Sequence, residues 1–306
     1  MISICIPVYN YNISTLVEGL KWAVAFSQVP AEIIIYEDGS ETLNPEFEND
    51  DTSRIIVRQY TGESNKGRSF ARNFLAHKAS YPNLLFLDCD GFIPDQHYII
   101  NYVPFLALKN TVISGGRSYQ SLEPKNQAYL LHWLYGTRIE SKLAGERNFQ
   151  AYLLFHSNNF LVSKELLLEH PFDEELSSYG YEDTVWAKTI HEKGISILHI
   201  DNVVIHLGLE RNDVFIEKTN QALMNLVFLR RNNKSPGIKL ESFYHEHFLA
   251  KIGLVKLGVK LFKFTMPWLV ANLKSAHPKL WIYSMYKIFT YSIYWDEVHV
   301  LPKKLP

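Results

Sequence analysis

The chain opens on a nearly unbroken apolar run, Ile2-Ser3-Ile4-Cys5-Ile6-Pro7-Val8, and similar runs recur at residues 32–36, 54–59 and 84–87. They lack the alternation of a strand with one wet face, so they predict strands covered on both sides. Helix-like stretches at 13–27 and 69–79 separate them. Strand and helix taken in turn build a mostly parallel, Rossmann-like sheet with helices on both faces, which places the chain in the α/β class.

Beyond residues 112–116 the pattern predicts a helix near 127–134, then a polar stretch, 138–150, with no assignable period. A strand at 160–162 leads into a helix at 164–169, and a helix at 182–193 is stopped by Gly194. Residues 195–205 suggest strand, turn and strand, and 214–306 are mostly helix-like. With 306 residues the chain suits one sizeable α/β domain, 1–212, followed by a helical extension, 213–306.

A composition of 47% hydrophobic and 21% charged residues is that of a globular protein. The net charge of −1 argues against a whole-molecule attraction to nucleic acid, and no nucleic-acid partner is expected. That balance conceals a division. From residue 251 to 306 nine lysines face only Asp296 and Glu297, a net of +7, which leaves −8 on the first 250 residues. Cys5 and Cys89 sit in separate apolar runs, as free thiols of a reducing compartment do, and the start of the chain has no secretory pattern. A cytoplasmic setting is the expectation.

Three strand-like runs end in polar loops: Pro-Val-Tyr-Asn at 7–10, Glu-Asp-Gly-Ser at 37–40 and Asp-Cys-Asp-Gly at 88–91. In an open parallel sheet the ligand crevice lies outside the carboxyl ends of the strands, so these loops can line one site. Asp88 and Asp90 offer the oxygen ligands that Mg²⁺ or Mn²⁺ prefers when it bridges carboxylates to a diphosphate, although Asp and Gly also favour turns for conformational reasons. Glu182-Asp183 opens a helix, where a carboxylate serves either as a cap or as a general base. Arg68 and Arg72, at i and i+4 after Gly67, suit an anionic ligand or a solvated helix face. His206 follows a strand and is a ligand or a structural residue. The residues alone leave each pair of readings open.

Other chemistries find no support. The sequence has no Gly-x-x-x-x-Gly-Lys-Ser/Thr loop, no Gly-x-Gly-x-x-Gly after the first strand, no Cys-x-x-Cys, no His-Glu-x-x-His and no Gly-x-Ser-x-Gly. A nucleotidyltransferase reading lacks support too, since no glycine-rich, lysine-bearing loop follows the first strand.

Taken in order, ISICIPVYN, IIIYEDGS, NKGRSFARN, LLFLDCDG, the Gly115-Gly116 pair, SNNFLVSK, GYEDTVWAKTI and VIHLG resemble the family-2 glycosyltransferases of the glycosyltransferase A fold, over roughly residues 1–210. The resemblance implies an inverting enzyme that moves a hexose or N-acetylhexosamine from a nucleotide-diphosphate sugar, with a uridine donor expected. The acceptor would be a hydroxyl of a glycan or lipid-linked glycan, in the assembly of a bacterial surface polysaccharide. Pro7 and Tyr9 would flank the base and Asp38 would bond it. Arg68 would lie near the nucleotide, Asp88 would face ribose or sugar, and Gly116 would belong to the nucleotide-sugar-binding set. Asp90 would hold Mn²⁺ or Mg²⁺, with His206 as a further metal or diphosphate ligand. Asp183 would be the catalytic base, with Glu182 beside it. A noncatalytic nucleotide-sugar or glycan-binding module on the same fold is the alternative.

In the basic tail, a helical wheel puts Lys256, Lys260 and Lys263 on one stripe of an otherwise apolar segment. Trp268, Trp281, Tyr283, Tyr286, Tyr291, Tyr294 and Trp295 add aromatics of the kind favoured where water meets lipid. A peripheral helix pair on the inner face of the cell membrane is one expectation. A packed helical subdomain with lysines on its wet face is the other.

Overall fold

The structure, a computed structural model, describes residues 1–48, 55–176, 179–240 and 254–297. In chain order it contains β1 (Ile2–Val8), α1 (Ser14–Ser27), β2 (Ala31–Glu37), β3 (Ile56–Thr61), α2 (Arg68–Lys78), β4 (Asn83–Leu87), β5 (Gly91–Phe92), β6 (Thr111–Ser114) and β7 (Arg117–Tyr119). There follow α3 (Leu130–Tyr135), α4 (Ala144–Asn148), β8 (Asn159–Ser163), α5 (Lys164–Glu169), α6 (Glu182–Glu192), β9 (Ser196–His199) and β10 (Val204–His206). Three long helices complete the described chain: α7 (Asn212–Arg231), α8 (Leu254–Leu273) and α9 (Leu280–Glu297).

The chain forms two compact units. One comprises Met1–Gln120, Ser141–Ser177 and Glu182–Gly208; the other comprises Ser121–Glu140, Ser178–Tyr181 and Leu209–Pro306.

The first unit is built on a seven-stranded sheet in the order β3-β2-β1-β4-β8-β6-β9. All neighbours are parallel except β8, which runs antiparallel to both β4 and β6. The continuous apolar runs have the expected cause. Ile4, Ile6, Ile33, Ile35 and Leu85 face one cluster with Leu16, Val17 and Leu20 of α1. Cys5, Ile34, Leu84 and Phe86 face another with Leu75 of α2, Leu166 of α5 and Trp186 of α6. With helices on both sides, no strand of the central set has a wet face, so alternation has no work to do. The fold is the expected mostly parallel α/β sheet with helices on both faces, mixed only at β8.

A second, three-stranded sheet, β5-β10-β7, positions the site. β10 runs antiparallel to β5, pairing His206 with Gly91 and Ile205 with Phe92, and parallel to β7. The segment 204–208 is thereby laid against the loop that carries Asp88 and Asp90.

The unassigned polar stretch contains α4, and its polarity has a structural reason. Arg147 is 3% exposed and its guanidinium donates to the carbonyls of Ser114, Gly115 and Ile200 at 3.3, 3.2 and 2.8 Å. It also meets His199 Nδ1 at 2.8 Å, while His199 Nε2 faces the Ala151 carbonyl at 2.8 Å. Burial, with Arg147 close by, holds the His199 imidazole down at about 4, so it stays neutral.

The second unit is helical. Leu131, Ile216, Phe262, Leu273, Ile282, Tyr283 and Tyr286 form one core, and Leu223, Leu226, Val227 and Tyr291 another. This corrects the expectation that Tyr283, Tyr286 and Tyr291 are surface aromatics: they are 4%, 1% and 0% exposed. The Tyr283 hydroxyl meets Thr219 Oγ1 at 2.7 Å and the Tyr286 hydroxyl donates to Asn220 Oδ1 at 2.7 Å, which satisfies the polar ends of rings whose bodies fill the core. Trp268 and Trp281 are exposed, whereas the side chains of Lys256 and Lys260 lie outside the described residues.

Candidate active site

The parallel strands β1, β2 and β4 end at Val8, Glu37 and Leu87, and their loops leave from one edge of the sheet. The first two loops are tied together: Asn10 N–H donates to Ser40 Oγ at 2.9 Å and Glu41 N–H donates to Asn10 Oδ1 at 2.8 Å. Pro7 is half-buried in β1 opposite Tyr36, and Tyr9 beyond it is 49% exposed. Asp38 is buried, and its two oxygens accept from the backbone N–H groups of Lys66 and Gly67 at 2.9 and 2.8 Å. Burial raises its carboxyl and those two donors pull against it. Asp38 therefore pins the loop that launches α2, in addition to any ligand it meets. Gly39 makes this closure feasible, since a Cβ there would stand 2.4 Å from the Asn65 nitrogen.

Arg72 organises the acidic residues. It is 1% exposed, with Nη2 3.1 Å from Asp88 Oδ1 and Nη1 3.6 Å from Glu182 Oε1. One turn earlier Arg68 Nη1 also stands 3.6 Å from Glu182 Oε1, with its side chain 52% exposed. Arg72 thus joins the Asp88–Asp90 loop to the start of α6, with Arg68 of the same helix adding a second contact to Glu182, although 94 residues of sequence separate Asp88 from Glu182. The expectation of a solvated helix face fails for Arg72, which lies at i−3 and i−4 to the buried Leu75 and Ala76 on the helix's packed side.

Asp90 lies next to His206, whose Nδ1 is 3.2 Å from Asp90 Oδ1. Burial pushes the Asp90 carboxyl up, but His206, Arg117 and Arg68 outweigh it and hold it below the ordinary range. Burial, with Asp90 and Asp88 on either side, pushes the Cys89 thiol well up, so this cysteine is a filler between the two acids rather than a reactive group. Gly208 completes this corner. A Cβ there would stand 2.4 Å from Asp90 Oδ2, so only glycine leaves that oxygen uncovered.

A carboxylate and an imidazole of this kind suit a hard to borderline divalent cation. Among the described residues no group of three or more His, Cys, Asp or Glu side chains is placed to hold a metal unaided. A Mg²⁺ or Mn²⁺ on Asp90 and His206 would complete its shell from water and substrate oxygens, as such ions do on phosphate-bearing ligands. The residues fit the ion on those terms.

Asp183 sits in the first turn of α6. Its Oδ1 accepts from Thr184 N–H at 2.7 Å and from Thr184 Oγ1 at 3.2 Å, while Oδ2 faces His156 Nδ1 at 3.8 Å. That separation is an ion-pair distance, too long for a normal hydrogen bond. Burial raises the carboxyl, yet His156, Arg72 and the Thr184 N–H together bring it down to about 2. Asp183 is therefore ionised throughout the neutral range, with Oδ2 the less committed oxygen. His156 gave no signal in the sequence beyond standing two residues before the Asn158-Asn159 pair.

Gly116 is placed differently from the acidic residues. Its φ is 82°, and a Cβ there would meet the Arg147 guanidinium at 2.6–2.8 Å. Its carbonyl accepts from Asn159 Nδ2 at 2.8 Å. Close packing on Arg147 and a left-handed backbone account for glycine at this position.

The chain matches the family profile described as Glycosyl transferase family 2 over residues 3–170. Among solved structures, the mannosyltransferase PcManGT from Pyrobaculum calidifontis in complex with GDP-Man and Mn²⁺ aligns with a TM-score of 0.56 at 13% identity, covering 98% of this chain and 88% of that one. S. aureus TarS 1–349 in complex with UDP-GlcNAc aligns at 14% identity over 96% of this chain and 90% of that one, with a TM-score of 0.49. No curated protein matched the sequence. The likeness to the mannosyltransferase is one of fold. The family match is of another kind: it spans more than half of the 306 residues, and the chain belongs to glycosyl transferase family 2.

Proposed function

We propose that the protein is an inverting glycosyltransferase that passes a hexose or N-acetylhexosamine from a nucleotide-diphosphate donor, a uridine diphosphate sugar by our reading, to a hydroxyl of a glycan or lipid-linked glycan. The observation that carries this reading is the bridge made by Arg72, which ties Asp88 on the β4 loop to Glu182 on α6 and so gathers both acidic motifs around one helix start. Pro7, Tyr9, Asp38, Arg68, Asp88 and Gly116 form the donor side of the site. Asp90 and His206 hold Mn²⁺ or Mg²⁺, and Asp183 is the base. The catalytic part is residues 1–212, with 213–306 as an extension. The donor and ion named for PcManGT, GDP-Man and Mn²⁺, and those of the expected uridine class belong to one chemistry, a nucleoside diphosphate leaving group.

The residues divide that chemistry between them. The exposed half of Arg68, near the amino end of α2, offers positive charge to phosphate oxygens. A bound cation supplies Lewis acidity at the diphosphate. The acceptor hydroxyl gives its proton to Asp183 Oδ2 as its oxygen bonds to the anomeric carbon, and the bond from that carbon to the diphosphate oxygen breaks on the opposite face. Thr184 fixes Oδ1, which leaves the carboxylate one orientation in which to act. Glu182, engaged by both arginines, holds the frame rather than the proton.

A transfer assay with a panel of nucleotide sugars, followed by NMR of the product's anomeric coupling, tests the proposal. A glycoside inverted relative to the donor is expected. Retained configuration would exclude a single in-line displacement and would reject the assignment of Asp183 as its base.

A further inference from the structure

Within the second unit, α8 is apolar on two faces. Phe262 and Leu273 are buried in the helical core, with Met266 and Leu269 packed against it. On the other side Leu261, Phe264 and Trp268 are 65%, 77% and 72% exposed, spaced i, i+3 and i+7 and so within roughly 60° of arc at 3.6 residues per turn. The rings of Phe264 and Trp268 meet edge to face at 6.4 Å. A helix that only covered a core would carry polar residues there. Lys263 and Lys274 are exposed along the flank of this stripe, and Lys256 and Lys260 share their register on the helix. The turn into α9 holds a pocket of about 410 Å³ bordered by Arg138, His277, Lys279, Glu123 and Trp281, two cationic side chains against one acid, and Trp281 is 61% exposed.

We infer that α8 is an interfacial anchor that lies in the plane of an anionic lipid surface, with Leu261, Phe264 and Trp268 dipping below the headgroups and the basic flank and pocket receiving lipid phosphates. The occupant is identified by charge: residues 251–306 carry a net of +7, in a chain whose total is −1. Aromatic rings and lysines together are the composition of an interfacial helix, the rings entering the boundary beneath the headgroups and the lysines reaching the phosphates. Spanning is not the mode, since among the described residues no helix is long and apolar enough to cross a membrane. The inference goes beyond the transfer reaction and does not depend on it, because lipid binding is read without any sugar donor.

Flotation of the full chain with phosphatidylcholine vesicles, with and without phosphatidylglycerol, tests it. The chain should float with the anionic vesicles and be released by salt. Phe264→Ser with Trp268→Ser should weaken that partition about tenfold or more, through lost apolar insertion, while the melting curve stays in place because both side chains are exposed. Lys263→Glu with Lys274→Glu should weaken it independently. No flotation of the parent chain, or unchanged flotation of the serine variant, overturns the inference. So does a chain that self-associates and becomes monomeric in the serine variant without binding lipid, which would make the face an interface between copies.

Discussion

Asp183→Asn is expected to bind donor as the parent does but to lose transfer by about 10²–10⁴-fold, the size of effect that removal of a general base produces. The substitution keeps the side chain's shape, and the amide oxygen can still accept from Thr184 N–H, so the start of α6 is preserved. What disappears is the charge that accepts the acceptor's proton. Because the carboxyl is held down at about 2, the parent enzyme should show no loss of rate from protonation of Asp183 until the pH falls far below neutrality. Steady-state rates and donor titration on the two proteins separate the effects. A variant that retains full turnover would remove Asp183 from the chemistry.

Arg72→Met is expected to be costly in a different way. It leaves Glu182, 7% exposed at its side chain, with only the equally long but more solvated contact from Arg68, and it deprives Asp88 of its partner at 3.1 Å. Stripping one member from a buried ion pair costs about 3–5 kcal/mol, and the lower end applies because Asp88 is 31% exposed and can be hydrated. Both acidic motifs then lose their common anchor, and a displacement of about 1 Å at reacting groups can cost on the order of 10²-fold in rate. Urea denaturation and kcat are the readouts. Combining Arg72→Met with Glu182→Gln should restore part of the stability, since the stranded charge is gone, without restoring the rate. If the single variant is as stable and active as the parent, the bridge is incidental.

Much of this site was readable in the sequence because its parts sit where chain geometry puts them. Asp38, Asp88 and Asp90 lie just past continuous apolar runs, and any covered parallel sheet delivers such residues to one edge. His206 was readable as a strand end, but its pairing with Asp90 depends on β10 lying antiparallel to a two-residue strand, β5, which has no periodicity to detect. Arg72 left a faint trace. It occupies the stripe of Leu75, Ala76 and Ala79, all buried, so the 3.6-residue period placed an arginine in the core. The eye reads paired arginines as solvated, and only packing reveals the exception. Tyr283, Tyr286 and Tyr291 show the reverse error. Aromatics with polar tips suit both an interface and a core, and the hydroxyl partners Thr219 and Asn220, more than sixty residues away, decide between them. The polar stretch around Arg147 resisted assignment for a related reason, because α4 is too short to show a period and its arginine answers carbonyls on β6 and beyond β9.

The central claim is that acids from distant segments of the first unit serve one cation and one activated sugar. Calorimetry of a panel of nucleoside diphosphates with and without Mn²⁺, on the parent, Asp90→Asn and Asp183→Asn proteins, tests it most directly. The account predicts one nucleotide whose binding to the parent and to Asp183→Asn strengthens with Mn²⁺, and an Asp90→Asn protein in which that strengthening is lost. Binding that ignores both Mn²⁺ and Asp90, or no binding by any nucleoside diphosphate, would contradict it.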